Sequence, residues 1–267
     1  MDFSKLFSLE GRVAVVTGGS RGIGEMIAEG FIAAGCARVY ITARKVSVVE
    51  ETAARLGERC IAIAGDISNV AGIEQLAADL ATREDKIDIL VNNAGVAWGA
   101  NFEDFPEVGW DKVMDLNVKT PFFLTQKLHG LLMAAAASGQ PAKVINIASV
   151  DGMRLNPWET YSYQASKAAV IQLTKRMAAR LIRDNIVVSC ICPGAFPSEM
   201  NKAAAKNPEG SAKGIPSKRI GTIEDMAGGA IFLASRAGDY VVGTPLPIDG
   251  GIVNGWIPDN AIDPSGH

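Results

Sequence analysis

Histidine and cysteine are scarce in this 267-residue chain, which holds two histidines and four cysteines, Cys36, Cys60, Cys190 and Cys192. No two cysteines form a C-x-x-C pair, and His129 and His267 lie far from all of them in sequence. A metal or redox site is therefore poorly supported. Cys190 and Cys192 share one face of an apolar run, where they read as small buried hydrophobes. Positive charge is not in excess either. Twenty-six Lys and Arg stand against 29 Asp and Glu, a net charge of −3, so the basic face that nucleic acid or an anionic membrane needs is missing. No apolar run approaches the roughly 20 residues that span a bilayer. The start, Met1 to Arg12, carries Asp2 and no apolar run long enough for a signal peptide. The expectation is a cytoplasmic protein.

An internal linker and low-complexity tracts are also lacking. What is present is alternation: short apolar, β-branched runs at Val13–Thr17, Val39–Thr42, Cys60–Ala64, Ile87–Val91, Val144–Ala148, Ile186–Cys192 and Leu246–Ile248. Most are apolar on both faces, as parallel strands covered on both sides must be. Between them, helical patterns run near 23–34, 46–56, 70–82, 107–135, 158–183 and 223–234. Ile23, Ile27 and Phe31 recur at four-residue spacing with Gly35 as a stop, and Thr222 with Asp225 three residues on forms a weak capping box. Repeated strand–helix units predict an α/β fold, a Rossmann-type doubly wound parallel sheet of about seven strands in a single domain over 1–267. Segment 193–221, rich in Pro, Gly, Ala, Ser and Lys, is expected to act as a substrate lid, and 252–267 as an irregular tail reaching a neighbouring subunit.

The first strand runs into Thr17-Gly18-Gly19-Ser20-Arg21-Gly22-Ile23-Gly24, and the first helix begins there. Glycines permit a tight turn and let a dinucleotide phosphate approach the helix N-terminus, whose amides favour anions. Gly18, Ser20, Arg21, Gly22, Ile23 and Gly24 are the candidate contacts, although Gly18-x3-Gly22-x-Gly24 is one residue longer than G-x-G-x-x-G. An acid ending the second strand would hydrogen-bond the ribose of NAD. Here Ala43 is followed by Arg44 and Lys45, cations that with Arg21 could clamp a 2′-phosphate, so NADP(H) is favoured over NAD(H). Asp66 and Ile67 follow the third strand, where a side chain could meet the adenine ring. Asn93, Ala94 and Gly95 follow the fourth and leave backbone near the cofactor.

Tyr163 and Lys167 sit one helical turn apart on one face. A nearby ammonium favours phenolate and would let a phenol exchange a proton with an alkoxide near neutral pH. The spacing alone decides little. Context adds Ser149, delivered at a strand's C-terminal end, where ligands bind in open parallel sheets, and able to donate to a substrate oxygen. Asn117 interrupts a helical run, either as a satisfied core amide or as the holder of a water joining Lys167 to solvent.

With these residues in place the chain resembles the short-chain dehydrogenase/reductases over about residues 8–251. The resemblance is carried by TGGSRGIG at 17–24, NNAG at 92–95, Asn117, Ser149, YQASK at 163–167, Pro193-Gly194 and Ile248-Asp249-Gly250-Gly251. It implies Tyr163 as acid/base, Lys167 lowering its pKa and binding the nicotinamide ribose, Ser149 orienting the carbonyl and Asn117 completing a proton relay. Pro193, Gly194 and Ser198 would lie along the nicotinamide, with Ser198 where the family usually has threonine. The family's habit also implies a homotetramer or homodimer. The run LVNNAGVAWGA through Trp110–Met114, with Phe196-Pro197-Ser198, is similar to the rhamnolipid-type β-ketoacyl reductases. Ser149 and Tyr163 stand 14 apart where most members have 13, so the loop between them must bulge.

Three functions are expected in decreasing order. The first is NADPH-dependent reduction of a ketone, a β-ketoacyl thioester being one candidate, in a pocket built from Trp98, Leu155, Trp158, Phe196 and Met200. Each of these could instead pack the lid or an interface. The second is NAD(P)-dependent oxidation of a sugar or polyol, which would want more polar groups than 153–158 and 195–200 display. The third is a non-catalytic cofactor sensor, which retention of both Tyr163 and Lys167 disfavours.

Overall fold

A computed structural model describes residues 3–198, 201 and 206–255. Its centre is a seven-stranded parallel sheet in the order β3-β2-β1-β4-β5-β6-β7. The strands are β1 (Val13–Thr17), β2 (Arg38–Ala43), β3 (Cys60–Ala64), β4 (Ile89–Asn92), β5 (Ala142–Ile147), β6 (Ile186–Pro193) and β7 (Pro245–Ile248). Alternate side chains face opposite ways, so Ala14 and Val16 enter one apolar layer and Val13 and Val15 the other. The first layer is closed by helices Gly22–Ala33, Val46–Leu56 and Ile223–Ala234. The second is closed by Val70–Arg83, the segments from Thr120 to Ala136, and Tyr161–Leu181. Gly30 and Ala227 mark the tightest helix–helix approach: a Cβ on Gly30 would lie 2.5 Å from that of Ala227.

The order in which successive strands are added reverses between the parallel neighbours β1 and β4, paired by Val16 and Val91. Loops leaving the carboxyl ends of β1 and β4 diverge there and open a crevice. Strand ends Thr17, Ala43, Ala64, Asn92, Ile147 and Pro193 all reach this side, so every loop carrying a candidate residue emerges on one edge.

The expected helices at 46–56 and 223–234 form with those bounds, and the Thr222–Asp225 capping box makes both of its hydrogen bonds. Gly35 ends the first helix with φ at +103°. The expected continuous helix over 107–135 is broken instead. It runs as Glu107–Met114, a π-helical stretch Asp115–Lys119, then Thr120–Lys127 and His129–Ala136, with Pro121 opening the third piece. Such a widening commonly re-aims side chains at functional positions, and Asn117 lies inside it. The helix expected from 158 begins at Tyr161, because Asn156 Oδ1 accepts from Trp158 N and holds the preceding residues in a turn. Strand β4 opens at Ile89 rather than Ile87, since Ile87 N donates to Leu131 O outside the sheet. Among the described residues, no helix is long and apolar enough to cross a membrane.

Candidate active site

Gly18 and Gly22 hold φ at +63° and +54°, a conformation that L side chains rarely adopt, and this folds the loop after β1 back over the helix N-terminus. Gly24 is required for space: a Cβ there would lie 2.4 Å from both Asn93 Nδ2 and Gly18 O. Asn93 donates through Nδ2 to Thr17 O at 2.8 Å and Gly18 O at 3.1 Å. Thr17 Oγ1 accepts from Asn93 N at 2.9 Å and Ala94 N at 3.0 Å. The loops after β1 and β4 are thereby locked into one wall. Arg21, the N-cap, places no side-chain oxygen over the first helical turn, which leaves its amide end suited to an anion. Ser20 is buried with its carbonyl accepting from Thr52 Oγ1 at 3.0 Å, and Ile23 packs on the apolar layer beneath.

Arg44 is exposed immediately after β2. Asp66 lies near it. Its carboxyl is held below the usual range, first by the Ser68 amide and further by the Arg44 charge. Asp66 and buried Ile67 line a cavity of about 170 Å³ together with Thr42, Gly72 and Leu76. A flat heterocycle fits such a space beside the phosphate-favouring turn. Ser198 reaches back to the same turn, its Cβ 3.1 Å from where a Cβ of Gly22 would stand. Pro193 ends β6 on this side, and Gly194 N donates to Ile248 O at 2.9 Å, with Asp249 filling the space a side chain would need.

The groups expected to handle protons gather near the ends of β4 and β5. Lys167 is buried, donates to Ile147 O at 2.9 Å and lies 5.5 Å from the Tyr163 ring centroid. Ser149 caps a short turn, Val150–Gly152, and its Oγ accepts from Asp151 N at 3.1 Å, which leaves the hydroxyl proton to point elsewhere. Its hydroxyl is close enough to Tyr163 to stabilise phenolate. Ser149, Tyr163 and Lys167 are thus brought together. Gly95 closes the same corner, since a Cβ there would stand 3.2 Å from Asn117 Oδ1 and 3.6 Å from Lys167 Nζ.

Two expectations can be set beside the electrostatics and hydrogen bonds of this corner. Lys167 does not hold Tyr163 below the ordinary phenol value in the protein alone. Burial pushes Tyr163 up to about 12, the Ser149 hydroxyl pulls it down and the Asp151 carboxylate pushes it up again. Burial also drives Lys167 down to about 8, because a dry site disfavours the charged form. Asn117, secondly, has a fully occupied side chain: Oδ1 accepts from Val96 N at 2.9 Å, and Nδ2 donates to Val96 O at 2.9 Å and Ser166 Oγ at 3.0 Å. It is a satisfied core amide that ties the π-helical stretch to the Tyr163 helix, with neither amide hydrogen left over.

The candidate pocket residues divide. Trp98 packs over Gly109, where a Cβ would come within 2.7 Å of its ring, and receives Lys112 Nζ at 5.5 Å. Phe196 is buried against Gly221, whose amide donates to Ala195 O, so this ring pins the two ends of segment 193–221 together. Leu155 and Trp158 are 86% and 68% exposed on the loop joining Ser149 to Tyr163. Met200 lies outside the described residues, as do 199, 202–205 and the tail from 256.

Four contributors escaped the sequence reading. Thr17 joins the two glycine-bearing loops. Ser166 takes the Asn117 bond and donates to Tyr163 O at 2.7 Å. Asn92 bonds Asn146 at 2.8 Å, and Asn146 bonds Thr174 at 2.9 Å, a buried polar chain from β4 to the Tyr163 helix. Thr17 and Ser166 sit inside the quoted motifs, but polar side chains on strands carry no period that marks Asn92 or Asn146 as partners. Among the described residues, no group of three or more His, Cys, Asp or Glu could hold a metal ion.

The chain is similar to known proteins over most of its length. A family model described as enoyl-(acyl carrier protein) reductase matches residues 18–253. A rhamnolipid-biosynthesis 3-oxoacyl-[acyl-carrier-protein] reductase of Pseudomonas aeruginosa is 48% identical over 250 residues, 92% of this chain and 97% of its own. The 2-dehydro-3-deoxy-D-gluconate 5-dehydrogenase of Escherichia coli is 38% identical over 252 residues, 92% of this chain and 96% of its own. Among solved structures, the Pseudomonas aeruginosa RhlG/NADP active-site complex has a TM-score of 0.89 at 46% identity, covering 93% of this chain and 99% of that one.

Proposed function

The chain belongs to the short-chain dehydrogenase/reductase family, and on that premise we propose that it reduces a ketone with NADPH, the substrate being a 3-oxoacyl thioester. The observation that carries the reading is the convergence of Ser149, Tyr163 and Lys167 beside a glycine turn that admits no Cβ at Gly24. The turn fits a dinucleotide: it offers an amide-rich helix end for phosphates, with a cavity beside Asp66 and Ile67 for the adenine. Bound there, NADPH supplies the hydride.

The chain's own residues do the rest. Ser149 donates to the substrate carbonyl oxygen, oriented by the Asp151 amide that occupies its lone pair. Tyr163 carries its proton throughout the neutral range, because burial holds it near 12, and it gives that proton to the oxygen as negative charge builds there. Lys167 stabilises the phenolate that remains and holds the nicotinamide ribose. Asn117 positions the Tyr163 helix through its hydrogen bond to Ser166. Pro193, Gly194 and Ser198 flank the nicotinamide, and the remaining contacts fall to Ser20, Arg21, Ile23, Asn93, Ala94 and Gly95.

NADPH is preferred to NADH because Arg44 follows β2 where an acid would otherwise meet the ribose. Leu155 and Trp158, apolar and exposed beside the site, favour an acyl substrate over a polyol. The relative's name, a 3-oxoacyl-[acyl-carrier-protein] reductase, points the same way. The protein works as a homotetramer or homodimer in the cytoplasm. Exposed Phe122 and Met133, and Tyr240 at 99% exposure near the last strand, supply apolar surface for assembly. The test is NADPH oxidation by the purified protein with 3-oxoacyl thioesters, simple ketones and keto sugars. Turnover of thioesters and ketones supports the reading, and turnover of keto sugars alone overturns it.

A further inference from the structure

Asp151 is a carboxylate that the mechanism above leaves unused, yet it stands in the active-site wall. The turn that carries it is wedged against the Tyr163 helix: a Cβ on Gly152 would lie 2.6 Å from the Lys167 carbonyl carbon and 2.7 Å from Ala168 N. Its amide holds Ser149 Oγ at 3.1 Å. One residue of turn, Val150, therefore separates Asp151 from Ser149, whose hydroxyl meets the substrate oxygen, a span of at most about 7 Å between their Cα atoms. The side chain is half-buried, and burial pushes its carboxyl up, while Asn156, Arg154 and Lys167, in that order, pull it down. Asn156 is held in turn by Trp158 N at 2.8 Å and Gln164 Nε2 at 3.3 Å, so the group facing Asp151 is fixed to the Tyr163 helix. The carboxylate also raises the Tyr163 phenol, in the same sense as burial.

We propose that Asp151 is a charge filter for the substrate: fixed beside Ser149, its carboxylate disfavours carbonyl compounds bearing a second anionic group near the carbonyl and selects neutral ketones and thioesters over keto acids. This rests on the reductase reading and narrows it. Arg154 and Lys167 face the same space with positive charge, and both remain when Asp151 is neutralised. Removing this negative group therefore shifts the local potential towards anions. At the effective dielectric of a partly buried site, the effect over such distances is roughly tenfold in relative preference.

The test compares ethyl acetoacetate with acetoacetate, the same ketone with a neutral ester or a free carboxylate beside it. In the wild-type holoenzyme the ester has the higher kcat/KM. In Asp151→Asn the ester-to-acid ratio falls roughly tenfold because the acid gains. A ratio unchanged within about twofold, or an equal loss for both ketones, overturns the proposal and leaves Asp151 a structural support for Ser149. Should the variant fold poorly, the wild-type ratio must still narrow as salt rises from low to high ionic strength, and a salt-independent ratio overturns the proposal as well. If wild type turns over neither ketone, the reductase reading fails. Binding of the two compounds to the NADPH complex, read by nicotinamide fluorescence, then decides the charge filter by the same ratio.

Discussion

Lys167 and Tyr163 meet as ammonium over ring, Nζ lying 5.5 Å from the ring centroid, while the same Nζ donates at 2.9 Å to Ile147 O. Burial moves the two groups in opposite senses, the phenol up to about 12 and the lysine down to about 8. Lysine is charged below its pKa, so the ammonium is present up to about 8 and lost above it. We expect kcat/KM for NADPH, which reports groups on the free enzyme, to fall as pH rises through about 8. A profile flat to pH 10 would contradict this. Stability follows the opposite course. The folded value lies below the ordinary 10.5, so the unfolded chain binds more protons between about 8 and 10.5, and the Lys167 contribution to stability improves across that window.

Replacing Tyr163 with Phe removes the donor while keeping the ring under Lys167. We expect kcat to fall by about 10²–10⁴, the usual worth of a positioned acid, with NADPH affinity by fluorescence titration little changed. A loss below about tenfold would assign proton donation elsewhere. Ser149 would be the first group to suspect, since its hydroxyl already stabilises the phenolate.

Period and punctuation made the sheet legible. Val13–Thr17 and Cys60–Ala64 are short, apolar on both faces and bounded by breakers, and they form with those bounds. The glycine turn, Ser149 and the Tyr163–Lys167 pair followed from where strands end. Asn117 was harder. Its helix looks continuous in sequence, and the π-helical stretch and the Asn117 bonds to Val96 and Ser166 are visible only in the fold. Trp98 and Phe196 read equally as pocket or packing residues in sequence, and in the fold their rings lie against Gly109 and Gly221. Such pairs are distant in sequence, and no local pattern links them. The Tyr163 shift was missed for a related reason: burial depends on the whole fold, whereas the Lys167 spacing is local.

Arg44 provides a test of cofactor choice. It is exposed after β2, and its charge helps to lower the Asp66 carboxyl. A charge-assisted hydrogen bond to a 2′-phosphate is worth about 1.5–3 kcal/mol, and exposure keeps it near the lower figure. Arg44→Ala should raise KM for NADPH roughly tenfold and leave KM for NADH within about threefold. Equal changes for both cofactors would remove Arg44 from phosphate recognition.

Thr17 is the joint on which the cofactor wall turns. Its Oγ1 accepts from Asn93 N and Ala94 N and donates to Val91 O at 3.3 Å, and it is buried at the end of β1. Thr17→Val keeps the shape and removes the acceptor, stranding two backbone amides in a dry place. Each stranded donor costs about 1–3 kcal/mol, and some relief comes from Asn93 Nδ2, which still bridges Thr17 O and Gly18 O. We expect a loss of about 2–4 kcal/mol in stability, seen as a Tm lower by several degrees, together with weaker NADPH binding because the glycine turn loses its partner loop. Serine at the same position supplies the acceptor again and should restore both. A valine variant with unchanged Tm and unchanged cofactor affinity would mean that the two loops hold their geometry independently, and that Asn93 alone maintains the wall.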